Sequence, residues 1–185
     1  QVDINANSLY NKMTELMVLS ETHDVQIICV TESWLNSDIV DAEVSIPNFN
    51  LFRADRPNNT RFGGSAIFVH KALRVERLDW FTGLESLAVN IVIDSVRFNV
   101  VCLYRSTSLV DMKDNAGLLG AIERLPVNAD EELVIVGDVN LPHVNWDKGL
   151  VERPPNSCDR RLVKHKFSKT QILWVKAIMY HYWSS

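Results

Sequence analysis

The apolar run Leu133, Val134, Ile135 and Val136 ends abruptly in Gly137, Asp138, Val139 and Asn140, as a buried strand does where it surfaces at a sheet edge. Strand side chains alternate faces, so Asp138 and Asn140, two apart, are expected to point the same way. A carboxylate beside a carboxamide at a strand end can hold a water and a phosphate oxygen. The same residues also fit an Asx turn that merely closes the strand.

Three other segments repeat this plan. ICVTESWL at 28–35 opens an apolar run onto Thr31 and Glu32, and NVVCLYRS at 99–106 ends in Tyr104 and Arg105. Near the start, Asn5 follows a fragment of strand and precedes a helix. Four apolar strands ending in polar groups predict a shared rim at which Asn5, Glu32, Tyr104, Asp138 and Asn140 converge.

Between these strands, Leu9, Met13, Leu16 and Met17 recur at helical spacing, which predicts a helix over 8–22 with Ser8 as its N-cap. A strand is expected at 25–31. Pro47, Asn48, Pro57, Asn58, Asn59, Gly63 and Gly64 mark a long irregular connection over 36–64, broken by a short apolar piece at 49–52. Strands follow at 65–70, 86–93 and 97–104, the last two joined as a hairpin by Asp94 and Ser95. Leu118, Leu119, Ile122 and Leu125 form the stripe of a helix over 111–125, before a strand at 132–137. Hairpins mixed with helices indicate an α/β or α+β fold.

With 185 residues the chain is about one domain long. No apolar stretch reaches the length of a membrane span, and the N-terminal Gln-Val-Asp has no signal-like core, so no membrane partner is expected. Three cysteines argue against a disulfide framework: Cys29 and Cys102 fall within strands and Cys158 in a loop, with no zinc-site spacing. An intracellular compartment fits. Of the 19 Lys and Arg, six lie after Asp159, where there is no acid, so an acidic body precedes a basic tail. An acidic body does not favour non-specific phosphate contacts, which rely on Lys and Arg.

The ordered segments NANSLYNKMTEL, IICVTESWL, FRADRPNNTRFGGSAIFV, VCLYR and VGDVNLPHVNW resemble the endonuclease domain of non-LTR (LINE-type) retrotransposons. That domain is part of the endonuclease/exonuclease/phosphatase superfamily, with the AP endonucleases and DNase I. The resemblance covers residues 1–147. It implies a four-layer sandwich, two packed β-sheets flanked by helices, incomplete at the C-terminus. It also implies Mg²⁺, with Mn²⁺ as a substitute, held by Glu32 with Asn5 close by. Asp138 then orients or deprotonates the attacking water, Asn140 holds a phosphate oxygen, and Tyr104 donates to the phosphate or leaving group. Each residue has a plainer alternative: Glu32 a solvated strand end, Tyr104 an ordinary sheet tyrosine, Asn5 a turn residue. Arg53, Asp55 and Arg56 read as structural ion pairing, Gly63-Gly64 as a tight turn into the next strand, and His143 and Trp146 as loop packing. Ser106 stands where the family commonly has Pro.

The family continues with a further Asp and a Ser-Asp-His segment, and residues 148–185 contain no Ser-Asp-His. That stretch reads as a divergent basic and aromatic tail, helical over 167–183, of frameshifted or mis-spliced origin. The resemblance implies a DNA-nicking, Mg²⁺-dependent endonuclease, impaired by that loss, acting in the nucleus on DNA. A reverse transcriptase is expected on the same polypeptide. Two other functions compete: a non-catalytic truncated remnant, and a phosphoesterase of the same superfamily.

Overall fold

A computed structural model describes residues 2–6, 8–56, 62–106, 112–125, 130–140, 144–145 and 150–151. The expected tail helix, His143, Trp146 and Cys158 lie outside the described residues. Ten strands and two α-helices are described: β1 (Val2–Asn5), α1 (Met13–Thr22), β2 (Ile27–Thr31), β3 (Phe49–Ala54), β4 (Ser65–His70), β5 (Arg74–Leu78), β6 (Leu87–Ile93), β7 (Val96–Tyr104), α2 (Met112–Glu123), β8 (Glu131–Asp138), β9 (Val144–Asn145) and β10 (Leu150–Val151).

Eight of the strands form two sheets, ordered β1-β2-β4-β3 and β5-β6-β7-β8, while β9 and β10 pair as a short antiparallel ladder. Side-chain alternation divides the apolar residues into three clusters. One face of the first sheet (Ile28, Val30, Ala66, Phe68) packs against Leu9, Met13 and Leu16 of the α1 region. Its other face (Cys29, Ile67, Val69) meets Val89, Ile91, Val100, Cys102 and Val136 of the second sheet. The outer face of that sheet (Val101, Leu103, Leu133, Ile135) is covered by Leu118, Ala121, Ile122 and Leu125 from the α2 region. The layers therefore run α1, sheet, sheet, α2, the sandwich expected of the family. Burying a side chain such as Phe68, with none of its surface exposed, contributes roughly 1.5–3 kcal/mol.

Several local details have simple causes. Asp94 (φ 49°) and Ser95 (φ 70°) both adopt left-handed backbone between β6 and β7, as a two-residue hairpin turn matching strand twist requires. Gly63 (φ 74°) and Gly64 (φ 78°) turn the chain into β4. Gly137 (φ 125°) lies where an added Cβ would stand 2.0 Å from the Leu103 carbonyl oxygen, so only glycine lets β8 pair closely with β7 here. Arg53 pairs with Asp55 at 2.5 Å and Asp41 at 2.9 Å and donates to the Ile39 and Asn36 carbonyls. It ties the long connection to β3, the structural role expected of it.

Two expectations are corrected, and one strand was not anticipated. Ser8 does not cap a helix over 8–22: it has φ 94°, and a 3-10 turn at Tyr10–Lys12 leads into α1 without a side-chain cap. The alternation expected of Asp138 and Asn140 stops at Asp138, because Asn140 lies past the strand at φ 44°. The strand β5 (RVERL) is a regular edge strand that no apolar run announces, its residues being exposed or half-exposed.

Candidate functional site

Two parallel pairings bring the strand ends together. In the first sheet β1 runs parallel to β2, with Asn5 opposite Thr31. The segments beyond stay in step: Ser8 N–H donates to the Glu32 carbonyl at 3.0 Å and Leu9 N–H to the Ser33 carbonyl at 2.8 Å. In the second sheet β7 runs parallel to β8, with Tyr104 opposite Asp138. Across the sandwich, β8 lies against β1 and β2.

Glu32 joins the two sheets. Its Oε1 accepts the phenolic proton of Tyr104, and its Oε2 accepts from the Trp34 indole N–H at 2.7 Å and the Gly63 amide at 3.0 Å. Tyr104 belongs to the other sheet, so this contact places Glu32 beside the β7–β8 end that carries Asp138. Burial and the Glu32 carboxylate both push the Tyr104 hydroxyl well above its ordinary range; Glu85 adds a smaller push in the same direction and Arg56 a smaller one against it. Tyr104 is therefore a neutral phenol at physiological pH, a donor and not a phenolate.

Beyond β8 the backbone folds on itself. Asn140 N–H donates to Asp138 Oδ1 at 3.1 Å, an Asx turn, so the plainer reading of this segment describes its local geometry. Asn140 Nδ2 donates to the Arg105 carbonyl at 2.8 Å, and Arg105 Nη1 returns a bond to the Asn140 carbonyl at 2.7 Å. Asn140 is thereby fixed beside Tyr104 and Asp138 through the residue that follows Tyr104. The backbone of Asn5 sits at the same rim; its side chain is outside the described set.

Residues that the sequence reading did not assign to the site complete this rim. Trp34 and Gly63 hold one oxygen of Glu32. Glu85 accepts from Arg56 Nε at 2.9 Å and from the Gly64 amide at 2.7 Å, while its carbonyl accepts from Ser65 Oγ. The buried Ser86 hydroxyl bonds the backbone of Tyr104. Trp34 lay within the quoted TESWL motif, two residues from Glu32. Glu85 and Ser86 had no signal, because their partners lie 18 to 29 positions away.

The donors suit a hard divalent cation. A carboxylate offers about four acceptor positions, and among the described residues three donors fill three of those of Glu32, one on Oε1 and two on Oε2. One carboxylate, completed by waters and phosphate oxygens, is how Mg²⁺ is usually held. Among the described residues no group of three His, Cys, Asp or Glu side chains gathers to enclose a metal.

The chain matches the Endonuclease/Exonuclease/phosphatase family over residues 4–184. It belongs to that family. Several solved structures share its fold at low sequence identity. AP endonuclease LMAP from Leishmania major superposes with a TM-score of 0.60 at 13% identity, over 87% of this chain and 62% of that one. The endonuclease domain of TRAS1, a telomere-specific non-LTR retrotransposon, gives 0.51 at 15% identity, over 75% and 58%. The 3′ phosphatase NExo from Neisseria, bound to a product DNA hairpin, gives 0.53 at 15% identity, over 77% and 58%. This endonuclease/exonuclease/phosphatase chain thus spans about three-fifths of the length of those structures. No curated protein sequence matches it. Among the described residues no helix is long and apolar enough to cross a membrane.

Proposed function

We propose that the chain is the phosphodiester-cleaving part of a DNA-nicking endonuclease of the non-LTR retrotransposon type, with Mg²⁺ as its metal. The observation that carries this reading is the contact of Tyr104 with Glu32, which unites the polar ends of both sheets in a family of nucleases and phosphatases. Glu32, with Asn5, would hold the metal. When bound, Mg²⁺ supplies charge neutralisation at the phosphate.

The remaining chemistry belongs to the protein. Asp138 orients or deprotonates the water that attacks phosphorus. Asn140 keeps a second amide proton for a phosphate oxygen after its bond to Arg105. Tyr104, neutral and buried, donates a hydrogen bond to Glu32 in the free protein and donates to the phosphate or the departing oxygen when substrate is present. The RADR and NLPHVNW segments at 53–56 and 140–146 favour the retrotransposon type over a small-molecule phosphatase. By this reading a reverse transcriptase lies on the same polypeptide and the protein works in the nucleus.

Residues 148–185 hold no Ser-Asp-His, so these 185 residues lack the donor that the family directs at the charged phosphorane. Losing one such donor slows reactions of this kind by about 10²–10³, which also favours a second reading, a non-catalytic remnant. Supercoiled plasmid incubated with the purified chain separates the two. Slow, Mg²⁺-dependent nicking that falls at least ~100-fold in Glu32→Gln and Asp138→Asn supports the endonuclease. Nicking indifferent to both substitutions contradicts the assignment of the site, and no nicking at all selects the remnant.

A further inference from the structure

Beside Glu32 the rim carries an aromatic pair that the reaction described above does not use. The rings of Trp34 and Phe62 meet edge to face, with centroids 4.9 Å apart and planes at 82°. Trp34 is tied to Glu32 through its indole N–H, and Phe62 directly precedes Gly63, whose amide holds the same carboxylate oxygen. The pair and the carboxylate therefore form one unit.

Phe62 is nevertheless 51% exposed. A phenyl ring kept half in water forgoes much of the stabilisation that burial gives. Glu32 (φ 54°), Trp34 (φ 56°) and Phe62 (φ 79°) all lie in the left-handed region, where bulky L-residues are rarely found. Strain gathered around one carboxylate persists where the surroundings over-determine it, and such places tend to grip ligands. The edge-to-face contact fixes the angle between the two rings, and half of the Phe62 surface still faces solvent.

We propose that Phe62, braced by Trp34, is a stacking platform for a nucleobase adjacent to the phosphodiester seated at Glu32. The proposal rests on the reading of this rim as a DNA-cleaving site and adds how the substrate is chosen. Stacking on an aromatic face tolerates any base but needs a base whose own face is uncovered. Within a duplex that face is available only where a base is mispaired or its step unstacks easily. Phe62 therefore directs the chain to deformable or unpaired positions, without reading a base sequence.

The test uses the full chain and duplex oligonucleotides carrying one mispaired 2-aminopurine, with Ca²⁺ in place of Mg²⁺ to suppress turnover. Anisotropy reports affinity and 2-aminopurine emission reports stacking. Wild type is expected to quench the emission; Phe62→Ala weakens binding about 5- to 100-fold and abolishes the quenching, and Phe62→Trp restores both. An abasic position in place of the mispaired base weakens wild type similarly and leaves Phe62→Ala unchanged. Wild-type binding without quenching, and insensitive to Phe62→Ala, overturns the platform while leaving the Glu32 reading intact. A wild type that does not bind DNA overturns both.

Discussion

Tyr104 at the end of the second sheet donates its phenolic proton to Glu32 at the end of the first. This bond spans 72 positions of sequence and links the ends of two separately built layers. It also sets the ionisation of the tyrosine: burial and the neighbouring carboxylate raise its hydroxyl well above its ordinary range.

That shift has a readable pH dependence. The neutral phenol is favoured in the folded chain, so the unfolded chain loses this proton first as pH rises. The contribution to stability is complete below the unfolded value of about 10 and is lost as pH climbs from there towards the folded value. Ultraviolet titration should show one of the four tyrosines ionising after the others, and Tyr104→Phe should remove that step. Glu32→Gln should bring the step down in part, because burial is the larger cause. Four tyrosines titrating together would show that the phenol is neither buried nor bound to Glu32.

The strands that meet at this contact were legible because each is apolar on both faces and ends in a sharp change to polar residues. β2, β4, β6, β7 and β8 are of this kind. The edge strand β5 was not, since Arg74, Glu76 and Arg77 face water and carry no apolar alternation. Ser8 looked like an N-cap by residue type, but the chain is pulled into register with Glu32 and Ser33, and that tertiary pairing sets its backbone. Glu32, Tyr104 and Asp138 could be placed at strand ends from the sequence. The supports of Glu32 could not: Gly63 reaches it from 31 positions away, through a turn whose destination no local pattern specifies.

The pair of Arg56 and Glu85 gives a second test. Both side chains are largely buried, at 16% and 10% exposure, and Glu85 also holds the Gly64 amide. Removing one member of such a pair leaves a buried charge uncompensated, at a cost of roughly 3–5 kcal/mol. Glu85→Ala should therefore lower the urea midpoint markedly, and the double variant with Arg56→Met should recover part of that loss. Additive losses in the double variant would show that the two groups do not interact.

The central claim, that the Glu32 rim seats a divalent cation, is tested most directly by Mn²⁺ binding followed by electron paramagnetic resonance. Wild type should bind one Mn²⁺, displaceable by Mg²⁺, and Glu32→Gln should weaken that binding at least about tenfold while far-ultraviolet circular dichroism stays unchanged. Equal Mn²⁺ affinity in wild type and Glu32→Gln would contradict the account.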